Sequence, residues 1–189
     1  MNLRLNKSIT LLELIIAMVI LGFVVAGLYS IEIFSRAQLT AVDRRSRLQA
    51  EASYLLEHMA KNINQAIGDF NNAAVSNTTL DGDQAVTIWI DLNQNGKRDP
   101  APLDRQIGYS YRGTPDFQAR YYFDATPGLY EVISQRIFNL TWSATDNFLF
   151  VNATACWNPA NPSDSRCGTP NNPAVTMQNR IDMPAVSTN

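Results

Sequence analysis

Near the start of a run of about 20 apolar residues, Ile9 to Leu28, stands one carboxylate, Glu13. A run of that length is enough to cross the ~30 Å hydrocarbon core of a bilayer as a helix. A charged side chain at the bilayer centre costs roughly 2.5–3.5 kcal/mol on insertion scales, so an acid within such a run calls for a partner. Arg4 and Lys7 precede the run, which predicts a cytoplasmic N-terminus and an outward-facing C-terminal part. No second span follows. A secretory signal peptide has a shorter apolar core, of about 7–15 residues, followed by a small-residue cleavage site. Here Ala26-Gly27 is a weak site of that kind, and Leu28-Tyr29-Ser30-Ile31 carries the apolar pattern through it. The plainest alternative is a signal anchor whose Glu13 snorkels to the headgroups.

The residues around Glu13 carry a more specific pattern. Lys7-Ser8 is followed by Ile9-Thr10-Leu11-Leu12-Glu13. This resembles the N-terminus of type IV pilin and pseudopilin precursors, which have a short basic leader, a small residue at the cut, a hydrophobic first mature residue and Glu as the fifth. Ser8 stands where the family usually has Gly, and Ile9 where it often has Phe. The resemblance implies that a prepilin peptidase cuts between Ser8 and Ile9 and that Ile9 becomes N-methylated. It also implies an assembly role for Glu13, whose carboxylate would pair with the terminal amine of a neighbouring subunit. Each charge alone is costly in a low-dielectric helix bundle, and the pair offsets much of that cost. The implied setting is the bacterial inner membrane, single-pass with the head outward, and then a pilus or periplasmic pseudopilus. The implied partners are other major and minor pilins or pseudopilins and the inner membrane assembly platform.

Past the membrane run, Leu48, Ala52, Leu55, Met59, Ile63 and Ile67 recur at spacings of three and four, the stripe of an amphipathic helix. No proline occurs from Thr10 to Ile67, and Asp43/Arg47, Arg47/Glu51 and Glu57/Lys61 are spaced to support the helix weakly. One helix of nearly 60 residues would reach ~85 Å at 1.5 Å per residue. Gly22 and Gly27 permit local bending at a smaller cost than a proline, and Gly68-Asp69 is the expected stop. The segment from Asn71 to Thr79 reads as a polar connecting loop. Strand patterns then follow at 85–90, 106–111, 118–123, 128–133, 136–142, 148–151 and 175–181, rich in aromatic and β-branched residues and bounded by Gly, Pro, Asn and Asp. The expected fold class is α+β, a long N-terminal helix packed on an antiparallel β-sheet head. The expected divisions are a leader at 1–8, a membrane or filament-core helix at 9–30, its amphipathic continuation at 31–69 and the head at 70–189.

Two features of the head carry chemistry. Cys156 and Cys167 lie close together in a Pro/Asn-rich stretch, and an outward-facing domain favours a disulfide between them. It would close a loop of about ten residues, with a stabilisation of about 2–3 kcal/mol. The second is Asp91-Leu92-Asn93-Gln94-Asn95-Gly96-Lys97-Arg98-Asp99. Oxygen side chains at loop positions 1, 3, 5 and 9 with Gly at 6 resemble the opening of an EF-hand calcium loop. Asp91, Asn93, Asn95 and Asp99 would offer side-chain oxygens and Lys97 a backbone carbonyl. Position 12 is Pro102 rather than a bidentate Glu; Asp104 is a candidate stand-in, as are Asp81 and Asp83 from outside the loop. The competing reading is a bare turn, because Asn95-Gly96 is a strong hairpin signal.

Other classes are disfavoured. A net charge of −2 and a pI near 5.3 leave no electrostatic footprint for nucleic acid, so DNA stays open as a partner without being indicated. His58 is the sole histidine, no nucleophile-base set accompanies it, and an enzyme is not expected. Tyr109, Tyr111, Tyr121, Tyr122, Trp142 and Phe148 read as sheet core in preference to a ligand platform. Within the family the chain is most similar to PilW-type minor pilins and J-type pseudopilins, which implies a role in initiating or tipping a filament. Two other readings stand beside it: a type II secretion pseudopilin, and a membrane-anchored calcium- or ligand-binding module that never polymerises.

Overall fold

A computed structural model describes residues 10–68, 73–145, 148–159, 167–169 and 172–183 of the chain. One helix, α1 (Leu11–Ile63), leads into eight strands. These are β1 (Val75–Leu80), β2 (Asp83–Ile90), β3 (Arg105–Arg112), β4 (Gln118–Tyr122), β5 (Tyr130–Ser134), β6 (Ile137–Ala144), β7 (Phe148–Cys156) and β8 (Ala174–Asp182). The α+β class expected from the sequence is the one observed. The chain divides into two compact units, 1–42 and 43–189, and α1 contributes to both.

Where one sheet was expected there are two. The strands β1 to β5 form an antiparallel meander in chain order, and β6-β7-β8 form a second one. The apolar stripe of α1 covers the inner faces of both. Leu48, Ala52, Leu55, Met59 and Ile63 are completely buried, among Val86, Ile88, Ile107 and Tyr109 of the first sheet and Leu149, Val151 and Ala153 of the second. Burying each of the larger side chains contributes about 1.5–3 kcal/mol, so the helix stripe is the shared floor on which both sheets close.

Two boundaries differ from expectation. The helix ends at Ile63 rather than at Gly68-Asp69 because the next residues are drawn into sheet bonding. Ile67 N–H donates to Trp89 O at 2.8 Å, Asp91 N–H donates to Gln65 O at 3.3 Å, and Ala66 bridges Ile90. The expected loop at Asn71–Thr79 is largely β1, an edge strand with exposed Asn77, Thr78 and Thr79. It turns into β2 through Asp81 and Gly82, both at positive φ (53° and 82°), with Leu80 paired to Asp83. Two positive-φ residues between paired strands are the two-residue turn that matches strand twist.

The outer face of the first sheet carries its own small cluster of Leu80, Ala85 and Tyr122. Gly108 makes room for it: a Cβ there would sit 2.6 Å from Leu80 Cδ1 and 3.5 Å from Tyr122 Cβ. Arg120, 2 % exposed, shares this face with Tyr122. Its guanidinium is held by Gln118 Oε1 at 2.9 Å and Asp83 Oδ2 at 3.4 Å, and lies 4.3 Å from the Tyr130 ring centroid. A buried cation needs such pairing to offset its desolvation.

Candidate functional site

Glu13 lies in the first turn of α1 and has a local role that the sequence reading overlooked. Thr10 caps the helix. Its backbone N–H and its hydroxyl donate to Glu13 Oε2 at 3.1 and 3.2 Å, and Glu13 N–H donates to Thr10 Oγ1 at 3.3 Å. This is the reciprocal capping box, and Thr-x-x-Glu ahead of an apolar run is its sequence signal. From Thr10 to Ile31 Glu13 is the only charged residue. The large apolar side chains from Leu11 to Phe34 are 50–77 % exposed. The helix is long and apolar enough to cross a membrane. Ser8 and Ile9, the expected cut, lie outside the described residues, as does the rest of the leader.

The candidate calcium residues do come together, in the connection from Asp91 to Asp104 between β2 and β3. It is not a tight hairpin. Gln94 and Gly96 both take positive φ (56° and 74°), and Pro100 and Pro102, which cannot donate ladder bonds, follow before β3 resumes. Asp91 accepts the N–H of Asn95 at 3.3 Å and of Gly96 at 2.9 Å. Asp104, 1 % exposed, accepts Leu92 N–H at 3.3 Å and Asp99 N–H at 2.6 Å. Asp99 Oδ2 accepts the side-chain amides of Asn93 at 3.0 Å and Asn95 at 2.5 Å, which hold its carboxyl below the usual carboxylate range. Asn95 Oδ1 in turn accepts Lys97 N–H at 2.7 Å. Asp91, Asn93, Asn95, Asp99 and Asp104 thus each accept N–H groups from within the loop. Among the described residues no group of three or more His, Cys, Asp or Glu side chains is placed to hold a metal ion.

Cys156 and Cys167 form the expected disulfide, with Cα atoms 5.7 Å apart. The neighbouring Trp157 ties this end of the head to α1. The Arg44 and Arg136 guanidinium carbons lie 5.4 and 4.5 Å from its ring centroid, and Arg136 also pairs with Glu51 at 2.6 Å. Glu51 further accepts Ser134 Oγ at 3.0 Å, so its partners are in the head rather than at Arg47. Arg47 pairs with Asp43 at 3.1 Å, as expected.

His58 is packed rather than solvated. Its Nδ1 lies 2.8 Å from Tyr109 Oη, and that oxygen accepts Asn62 Nδ2 at 2.6 Å. The Tyr121 ring stands edge-on at 4.9 Å. Desolvation lowers the His58 pKa, assisted by Lys61 and opposed by Glu131, while burial raises the Tyr109 hydroxyl. His58 and Tyr109 thus form a hydrogen-bonded pair packed between α1 and the first sheet.

No curated protein and no solved structure matches the chain. Residues 3–29 match the family model described as the prokaryotic N-terminal methylation motif, which places the apolar helix and Glu13 in a type IV pilin-like prepilin segment.

Proposed function

We propose that this chain is a minor pilin of a type IV filament system, which assembles through α1 and helps to initiate or tip the pilus. The observation that supports it most is the helix itself. A methylation motif lies on an apolar surface with no cover from its own described residues, and that surface carries one acid, Glu13, in the first turn of the helix. In the membrane, lipid covers this surface; in a filament, other stems do. On this reading a prepilin peptidase cuts after Ser8, Ile9 is N-methylated, and the Ile9 amine of one subunit pairs with Glu13 of another. The charge pair selects the axial register, because either group unpaired in the stem bundle is costly. The head faces outward, where its disulfide is retained. A type II secretion pseudopilin shares every one of these features, and a deletion strain separates the two through loss of pili or loss of secretion.

The test is the intact N-terminal mass of the protein from its native envelope. A chain that begins at N-methylated Ile9 supports the reading. One that retains the leader overturns it in favour of a non-polymerising anchored module.

We also propose that the Asp91–Asp104 loop takes calcium after rearrangement. The supporting observation is the Asp91 carboxylate held by the N–H groups of Asn95 and Gly96, the frame of loop positions 1, 5 and 6. Rotation of the Asn93 and Asn95 amides would turn Oδ1 in place of Nδ2 toward Asp99. It would cost the bonds their oxygens accept from Asn95 N–H and Lys97 N–H.

A further inference from the structure

A cleft of about 460 Å³ opens where β1 approaches β6, lined by Asn77, Thr78, Thr79, Gln84, Ala85 and Trp142. Its size falls within the range of roughly 300–1,000 Å³ usual for small-molecule sites. Its composition is more telling than its size. Among its described lining residues every polar side chain is an amide or a hydroxyl and none is charged, in a chain where 17 % of residues are charged. The one large apolar surface is the half-buried indole of Trp142, which also packs on the main core. The indole is pinned: Trp142 Nε1 donates to Asn77 Oδ1 at 3.1 Å, a bond that joins the two sheets across the cleft. Asn77, Thr79 and Gln84 are exposed and share one face of the first sheet, and they keep donor and acceptor capacity for a ligand.

We propose that this cleft binds a neutral saccharide. A fixed aromatic face matches the apolar C–H face of a pyranose ring, and a rim of amides and hydroxyls matches its ring of hydroxyl groups. The described lining residues supply no cation to select a phosphate or carboxylate and no carboxylate to select an amine. A lipid or apolar peptide would leave the polar rim without partners, at the cost of its desolvation. Trp142 supplies stacking, Gln84 and Thr79 supply hydrogen bonds, and Asn77 orients the indole.

The test is titration of the full-length protein in a zwitterionic, sugar-free detergent with maltohexaose, cellohexaose and chitohexaose, read by tryptophan fluorescence and isothermal calorimetry. At least one of them binds saturably, with a dissociation constant no weaker than millimolar. Gln84→Ala, at an exposed position, weakens that binding about fivefold with no change in melting temperature. Trp142→Phe keeps an aromatic face and weakens it about tenfold. Silence with all three sugars overturns the proposal, as does binding that Gln84→Ala and Trp142→Phe leave unchanged. Preferential uptake of an unstructured polar peptide in place of the sugars overturns the saccharide assignment and makes the cleft a strand-addition site.

Discussion

The two halves of α1 are one continuous element, yet they follow opposite rules. Between Leu48 and Ile63 the apolar residues fall on a stripe, and that stripe is completely buried by the chain's own two sheets. Between Leu11 and Phe34 apolar residues occupy every side of the helix, and the large ones stay at least half exposed. A stripe is the mark of a helix with one covered face, whereas apolar residues all round mark a helix whose whole circumference is to be covered. The inner half is covered by this chain's own sheets; on the proposed reading the N-terminal half is covered by lipid or other subunits.

Substitutions sharpen this contrast, and the largest effect is expected at Glu13. Glu13→Ala removes both the charge and the capping box, whereas Glu13→Gln keeps a side chain able to cap and removes only the charge. If charge pairing drives assembly, both variants insert in the membrane normally and both lose at least tenfold in filament incorporation, measured by immunoblot of sheared filaments. Normal incorporation of Glu13→Gln with failure of Glu13→Ala would assign the role of Glu13 to helix capping instead.

The next effect compares equal truncations on the two halves. Leu55→Ala, in the buried stripe, is expected to destabilise the head by about 2–5 kcal/mol. Leu21→Ala, on the exposed half, should change head stability by less than about 0.5 kcal/mol. Denaturant melts of the full chain in detergent, followed by tryptophan fluorescence, check both. Equal losses would show that the two halves are not energetically separate.

A smaller effect follows from replacing Cys156 and Cys167 by serine, which should cost about 2–3 kcal/mol in the same melts. The Arg44–Trp157 and Arg136–Trp157 contacts carry any such loss to the helix side of the head, so amide exchange near Glu51 should quicken as well.

Smaller still is a pH dependence at His58. Its folded pKa lies below the unfolded value near 6.5, so the unfolded chain takes up the proton more readily. The stabilisation is complete above 6.5 and is lost progressively as the pH falls to and through the folded value. Melting temperature should therefore drop between pH 7 and pH 5, and His58→Gln should flatten part of that slope. The smallest expected effect is at the β2–β3 loop. On the calcium reading, Asp91→Ala removes a calcium-dependent gain in melting temperature; an equal loss in chelator would assign Asp91 to turn geometry alone.

The legible parts of this molecule were those governed by spacing. The stripe from Leu48 to Ile63 repeated with the helix period, and each of its members is buried. Seven of the strand patterns became strands because alternation and turn residues act locally. β1 was missed because an edge strand with Asn77, Thr78 and Thr79 exposed reads as a polar loop, although Asp81-Gly82 marked its hairpin. Asn95-Gly96 misled in the other direction: the same class of signal, followed by Pro100 and Pro102, opens into a wide connection. The early helix stop, the division into two sheets, the Trp142–Asn77 bond and the His58–Tyr109 contact all depend on partners distant in sequence. No local periodicity reports them.

The stitching of the helix end into the sheet has a mechanical consequence. Within four residues of Ile63 the chain is bonded to β2 through Ile67 and Ala66, and to Asp91 just after it through Gln65. β2 is flanked by β1 on one side and β3 on the other. A pull applied along the backbone of α1 is therefore delivered to an interior strand, where two neighbouring ladders resist together, rather than to an edge strand that can unzip one bond at a time.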